Sequence, residues 1–163
     1  MKFYSFLFFV LMTTISFAAD TTKLYNPNAD ATKDLAKLIA QAKKQNKHIL
    51  IQAGGNWCTW CIRFNKFSAA EQKIDSILKA DYIVYHLNYS DENHNNKVFA
   101  KYGYPQRFGF PVFIVLDKKG ERLHTQNSAY LEKGKGYDTK KVFDFLEQWN
   151  PASINAATYK KDD

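Results

Sequence analysis

Cys58 and Cys61 are the only two cysteines among 163 residues, and two residues separate them. They stand in the stretch Gly54-Gly55-Asn56-Trp57-Cys58-Thr59-Trp60-Cys61. A thiol pair at this spacing can form a disulfide that opens and closes in exchange, form one that is only structural, or supply half of a zinc site. A structural bridge gains little here, because so short a loop hardly restricts the unfolded chain. Zinc needs two further ligands, yet no second cysteine pair exists, and His48, His86, His94 and His124 lack the short His–His spacing of such sites. The residues favour exchange, in which one cysteine attacks a disulfide and the other resolves the mixed disulfide. No metal and no further cofactor is expected.

The flanking residues place the pair. His48-Ile49-Leu50-Ile51-Gln52-Ala53 is apolar and branched and reads as a buried strand. After the cysteines, Trp60, Phe64 and Phe67 recur at i, i+4 and i+7, a helical stripe. The thiols therefore sit where a strand turns into a helix, with Cys58 at the first helical residue. Unpaired amides and the positive end of the helix dipole favour a thiolate there, so Cys58 is expected to ionise more readily than a free thiol. Cys61 lies one turn on and on the same face, within reach of a disulfide.

Strands and helices alternate along the remainder. Leu35, Leu38, Ile39 and Ala42 predict an amphipathic helix over residues 31–45, capped by Asp30 or Thr32. Ser68-Ala69-Ala70-Glu71 has a capping-box pattern and predicts a new helix carrying Ile74, Ile77 and Leu78 inward. Residues 82–89 are aromatic and branched, hence a strand. Asp91 is expected to cap a helix through Val98, Phe99 and Tyr102 that ends near Gly103. Residues 126–137 read as a long loop before a last helix capped by Asp138 or Thr139, with Val142, Phe145, Leu146 and Trp149 on one face. A turn at Lys119-Gly120 adds an antiparallel hairpin to an otherwise parallel pattern, so an α/β fold with a mixed sheet is expected.

The length suits one domain. Residues 1–18 have the form of a signal peptide: Lys2, an apolar run over residues 6–12, and Ser16-Phe17-Ala18 before the cleavage point. The apolar run is short for a membrane span, and no cysteine stands at the cleavage point for lipid attachment. The expected division is a polar leader at 19–29, the domain at 30–150 and a flexible tail at 151–163. The protein is expected to be exported, periplasmic or extracellular, and soluble after cleavage. Its formal net charge is +7. Lys43-Lys44 and Lys140-Lys141 sit on solvated helix faces and form no dense basic patch, so nucleic acid is not an expected partner.

This arrangement of strand, Trp57-Cys58-x-x-Cys61 and helix resembles the thioredoxin superfamily, closest to its exported members with an extra N-terminal helix. Phe110-Pro111-Val112-Phe113-Ile114-Val115-Leu116-Asp117 resembles the family's strand that begins with a cis-proline facing the disulfide. The resemblance covers roughly residues 30–150 and implies a central mixed sheet of about four to five strands flanked by helices. It implies a nucleophile at Cys58, a resolving thiol at Cys61, and a groove for an extended protein segment shaped by Trp57, Trp60, Phe110 and Pro111. Phe110 is larger than the residue often found there. Thr59-Trp60 is neither the Gly-Pro of reducing members nor the Pro-His of strong oxidants. Gln52 stands where many thioredoxins bury an acid, and His86 where a lysine is common. Either His86 acts as a substitute proton relay, or it is a core histidine satisfied by Gln52. Protein thiols and disulfides are the implied partners, with a membrane electron donor if the protein works as a reductase. A redox-inactive binding or chaperone module on the same fold is the alternative.

Overall fold

A computed structural model describes residues 23–160. The signal peptide read at residues 1–18, the start of the leader and the last three residues of the tail lie outside that range. The helices are α1 (Ala31–Gln45), α2 (Thr59–Ala70), α3 (Gln72–Asp81), α4 (Asn96–Lys101), α5 (Thr139–Gln148) and α6 (Ala156–Tyr159). The strands are β1 (His48–Gly54), β2 (Tyr82–Asn88), β3 (Val112–Leu116), β4 (Arg122–Asn127) and the two-residue β5 (Glu132–Lys133) and β6 (Gly136–Tyr137). Four strands form the central sheet in the order β2-β1-β3-β4. β1 pairs with β2 in parallel and with β3 antiparallel, and β3 pairs with β4 antiparallel, so the sheet is mixed as expected.

Side-chain alternation explains the layers. Ile49, Ile51 and Ala53 of β1, with Val112, Ile114 and Leu116 of β3, face Leu35 and Ala42 of α1 and Phe99 of α4. Leu50 of β1, with Phe113 and Val115 of β3, faces Phe64 of α2, Ile74 of α3 and Leu146 of α5. The strand period of two thus gives each face its own core. Phe64 anchors the second core: it is 2 % exposed, and its ring centroid lies 4.4 Å from that of Phe113 and 5.0 Å from that of Tyr137. Asp30 caps α1 through its Oδ1, which accepts from Lys33 N at 3.1 Å, and Asp138 caps α5 by accepting from Lys140 N and Lys141 N. At the β3–β4 turn Gly120 has φ +85°, which a side chain would resist, and its N–H donates to Asp117 O.

Three expectations are corrected. Ser68 does not start a helix; it lies in the last turn of α2, its Oγ donating to Asn65 O at 3.1 Å. The helix runs on to Ala70, and the break falls at Glu71, which is extended and precedes α3. The helix read from Asp91 begins only at Asn96, because asparagine side chains fold the preceding backbone into a turn. Asn88 Nδ2 donates to Ser90 Oγ and Asn93 O, and Asn95 Nδ2 donates to Asn88 O. Residues 126–137 are not a plain loop: β4 runs to Asn127, a 3₁₀ turn (Ser128–Leu131) follows, and the β5–β6 hairpin brings Tyr137 under α2. The tail after Pro151 is exposed but carries the short α6, with Asn155 Oδ1 accepting from Ala157 N.

Truncating Phe64 to Ala is expected to lower the unfolding free energy by about 3–5 kcal/mol, read by urea denaturation. Asp138→Ala, which loses two capping hydrogen bonds, is expected to cost about 1 kcal/mol in the same measurement.

Candidate functional site

The strand-to-helix turn places both sulfurs, and they are bonded to each other as a Cys58–Cys61 disulfide with Cα atoms 5.2 Å apart. Cys58 is the N-cap of α2, one residue earlier than its spacing implied, with φ −86° and ψ 100°. Its Sγ accepts a hydrogen bond from Cys61 N at 3.1 Å. A free α2 amide and the helix dipole therefore act on the Cys58 sulfur, and both favour negative charge there. Cys58 keeps 5 % exposure while Cys61 has none, so any encounter from solution meets Cys58 first.

An aromatic rim surrounds that sulfur. Trp57 is 58 % exposed and is fixed by its Nε1, which donates to Tyr89 O at 2.8 Å. Its ring meets Phe110 edge-on at 5.6 Å, and Phe110 lies 4.9 Å from the Tyr89 ring. Tyr89 in turn contacts His94 at 4.8 Å. Phe110 also packs against the disulfide, and the Phe110–Pro111 peptide is cis with Pro111 buried. Trp60 is half-buried on the other side; it packs against the disulfide, meets Tyr137 edge-on at 5.7 Å and carries the Arg63 guanidinium 4.6 Å from its ring. Of the residues expected to shape a groove, Trp60 and Phe110 pack against the disulfide, Trp57 meets Phe110, and Pro111 follows Phe110 across the cis bond. Tyr89 joins them without any signal in the sequence beyond its place at the end of a strand.

The floor of the site was less legible. Gln52 is 1 % exposed and uses both amide hydrogens away from His86. Its Nε2 donates to Tyr25 Oη at 2.8 Å and to Cys61 O at 3.0 Å. Gln52 and His86 are cross-strand partners between β1 and β2, yet His86 Nε2 is buried with no hydrogen-bond partner, so Gln52 does not satisfy it. Burial pushes the His86 imidazole down to about 4, leaving it neutral at pH 7. Tyr25 comes from the stretch read as a polar leader and is wholly buried, its hydroxyl pushed above the usual tyrosine range by desolvation. Asn56 clamps it with a reciprocal pair: Tyr25 N donates to Asn56 Oδ1 at 3.0 Å and Asn56 Nδ2 donates to Tyr25 O at 2.8 Å. Gln52 and His86 also line a cavity of about 280 Å³ bounded by Phe64, Leu78, Tyr82 and Val84. Among the described residues no three His, Cys, Asp or Glu side chains gather as a metal site, and no helix is long and apolar enough to cross a membrane.

Comparison with known proteins agrees with this geometry. A family model described as thioredoxin-like matches residues 30–118. The fold is similar to a disulphide isomerase from Xylella fastidiosa Temecula1, with 25 % identity and a TM-score of 0.68 over 78 % of this chain and 97 % of that one. It is also similar to the C-terminal domain of Neisseria meningitidis DsbD in its oxidised form, with 16 % identity and a TM-score of 0.55 over 75 % and 97 % of the two chains. The reduced form of that domain gives 15 % identity and a TM-score of 0.56 over 75 % and 98 %. No curated protein sequence matches the chain.

The half-buried, neutral His86 makes stability pH-dependent. Its folded value of about 4 lies below the unfolded value of 6.5, so its contribution is complete above pH 6.5 and is lost as pH falls through that window towards 4. His86→Gln is expected to remove up to about 3 kcal/mol of this acid-side loss, measured by comparing unfolding free energies of the two proteins across the window.

Proposed function

Because the chain belongs to the thioredoxin-like family, we propose that this thiol:disulfide oxidoreductase is exported and reduces or exchanges the disulfides of protein substrates. The observation that carries the reading is the Cys58 sulfur at a helix N-cap, barely exposed and rimmed by Trp57 and Phe110. The similarity to a disulphide isomerase supports protein disulfides as the substrate class. Export rests on the form of residues 1–18, which predicts a mature chain beginning at Ala19.

In the reducing direction the Cys58 thiolate attacks one sulfur of a substrate disulfide. The substrate's other sulfur leaves and takes a proton. The Cys61 thiol then gives up its proton and attacks Cys58 Sγ; the Cys58–Cys61 bond forms and the second substrate sulfur leaves as a thiol. The substrate gains two electrons and two protons, and the dithiol loses the same. A further dithiol must restore the reduced pair, and outside the cytosol a membrane electron donor is the source this scheme calls for. Trp57, Phe110 and Pro111 form the surface along which an extended substrate segment lies, and Trp60 closes the opposite side. His86, neutral and weakly basic, is a neighbour of the relay rather than its base, so His86→Asn is expected to leave the exchange rate near neutral pH unchanged.

The first test is a glutathione-buffer titration of the disulfide, followed by tryptophan fluorescence. A reduction potential near about −270 mV supports a reductase, and one near about −120 mV supports a donor of disulfides. A pair that does not equilibrate with glutathione overturns the proposal. Cys58→Ser is expected to abolish reduction of a disulfide-bonded test protein, whereas Cys61→Ser is expected to accumulate mixed disulfides on non-reducing gels.

A further inference from the structure

The resolving step requires Cys61, which has no exposure, to lose a proton inside the protein. Gln52, in the place where the family often buries an acid, can neither take that proton nor hold a charge. What it does instead is orient a hydroxyl. One of its Nε2 hydrogens goes to Cys61 O, and the other fills a lone pair of Tyr25 Oη. The hydrogen of that hydroxyl must then point away from the amide, and among the described residues no oxygen or nitrogen receives it.

Cys61 Sγ and the Tyr25 hydroxyl both border the point that a Gly54 side chain would occupy. A Cβ on Gly54 would stand 2.4 Å from Cys61 Sγ and 3.0 Å from Tyr25 Oη. The bare Gly54 backbone therefore leaves a gap that the sulfur and the hydroxyl share. Tyr25, Cys58 and Cys61 form one buried cluster, sealed by Leu24, Trp60 and Phe110. In such surroundings a hydrogen bond to an anion is strengthened by the low dielectric. The neutral His86 ring meets Tyr25 edge-on at 5.5 Å from β2, and Tyr137 of β6 also acts on it; neither brings a positive charge.

We propose that, once the disulfide opens, the Tyr25 hydroxyl donates a hydrogen bond to Cys61 Sγ and stabilises its thiolate, with Gln52 as the positioning residue that aims it. Tyr25 keeps its own proton throughout. The proton of the Cys61 thiol leaves to water or to the departing substrate thiolate, and the Cys61 sulfur forms its bond to Cys58 as the substrate sulfur leaves. The consequence for turnover rests on the exchange reaction proposed above; the hydrogen bond itself does not.

The test titrates Cys61 alone, in reduced protein carrying Cys58→Ser, through the pH dependence of its Cβ NMR shift. Tyr25→Phe keeps the ring and removes the hydroxyl, and is expected to raise the Cys61 pKa by about one unit or more, a tenfold change in proton affinity. Gln52→Leu is expected to move it the same way by less. A Cys61 titration unchanged or lowered by Tyr25→Phe overturns the proposal. If Tyr25→Phe does not fold, 3,5-difluorotyrosine placed at position 25 is isosteric and a stronger donor, and must lower the Cys61 pKa; no downward shift overturns the proposal as well. The readout needs no exchange activity. Loss of exchange chemistry with these shifts intact would refute the functional reading alone, and an unmoved titration in an exchange-competent protein would refute this one alone.

Discussion

β1 has no solvent-facing side, and the molecule is arranged around that constraint. All seven of its residues are buried, so each edge must be paired and each face covered. β2 and β3 take the two edges; α1 and α4 cover one face, and α2, α3 and α5 the other. At its end stands Gly54, where a side chain would collide with Cys61 Sγ. The chain can only turn there and begin α2, and the residue left to cap that helix is Cys58. The reactive sulfur thus receives helix amides as a by-product of how the central strand must stop.

Charge contributes little to holding this together. The ion pairs, Lys33–Asp30, Lys79–Asp75, Lys133–Asp138 and Lys140–Asp144, all carry a largely exposed lysine, and such pairs are worth about 1 kcal/mol or less each. Stability comes instead from aromatic and aliphatic burial on both faces of the sheet. The surface is therefore free to stay basic, while the interior of the site is built from hydroxyl, amide and aromatic groups.

Periodicity made most of the framework readable. Leu35, Leu38 and Ala42 announced α1, and the apolar run from His48 announced the buried strand, because a side chain's direction follows directly from position in a helix or strand. Side chain to backbone hydrogen bonds were readable at the Asp30 and Asp138 caps, which precede periodic helices, but not inside turns or within a helix. The turn at Asn88, Asn93 and Asn95 delayed α4 past Asp91, and Ser68 mimicked a cap inside a continuing helix. Cys58, Cys61 and Trp57 stood out as candidates because motif spacing is local, whereas Phe110 entered only through the family resemblance. Tyr25 was not, since a tyrosine before Asn26-Pro27-Asn28 has the look of a turn, and its partners Gln52 and Asn56 lie 27 and 31 residues away.

The clamp between Asn56 and Tyr25 also bears on where this domain begins. The family match starts at residue 30, and so does the periodic part of the chain. Cut there, the protein would keep its sheet, its helices and both cysteines, yet lose the residue that seals the disulfide from beneath. Modularity defined by fold and completeness defined by chemistry have different borders here. The few residues upstream of the recognisable module pack against its disulfide.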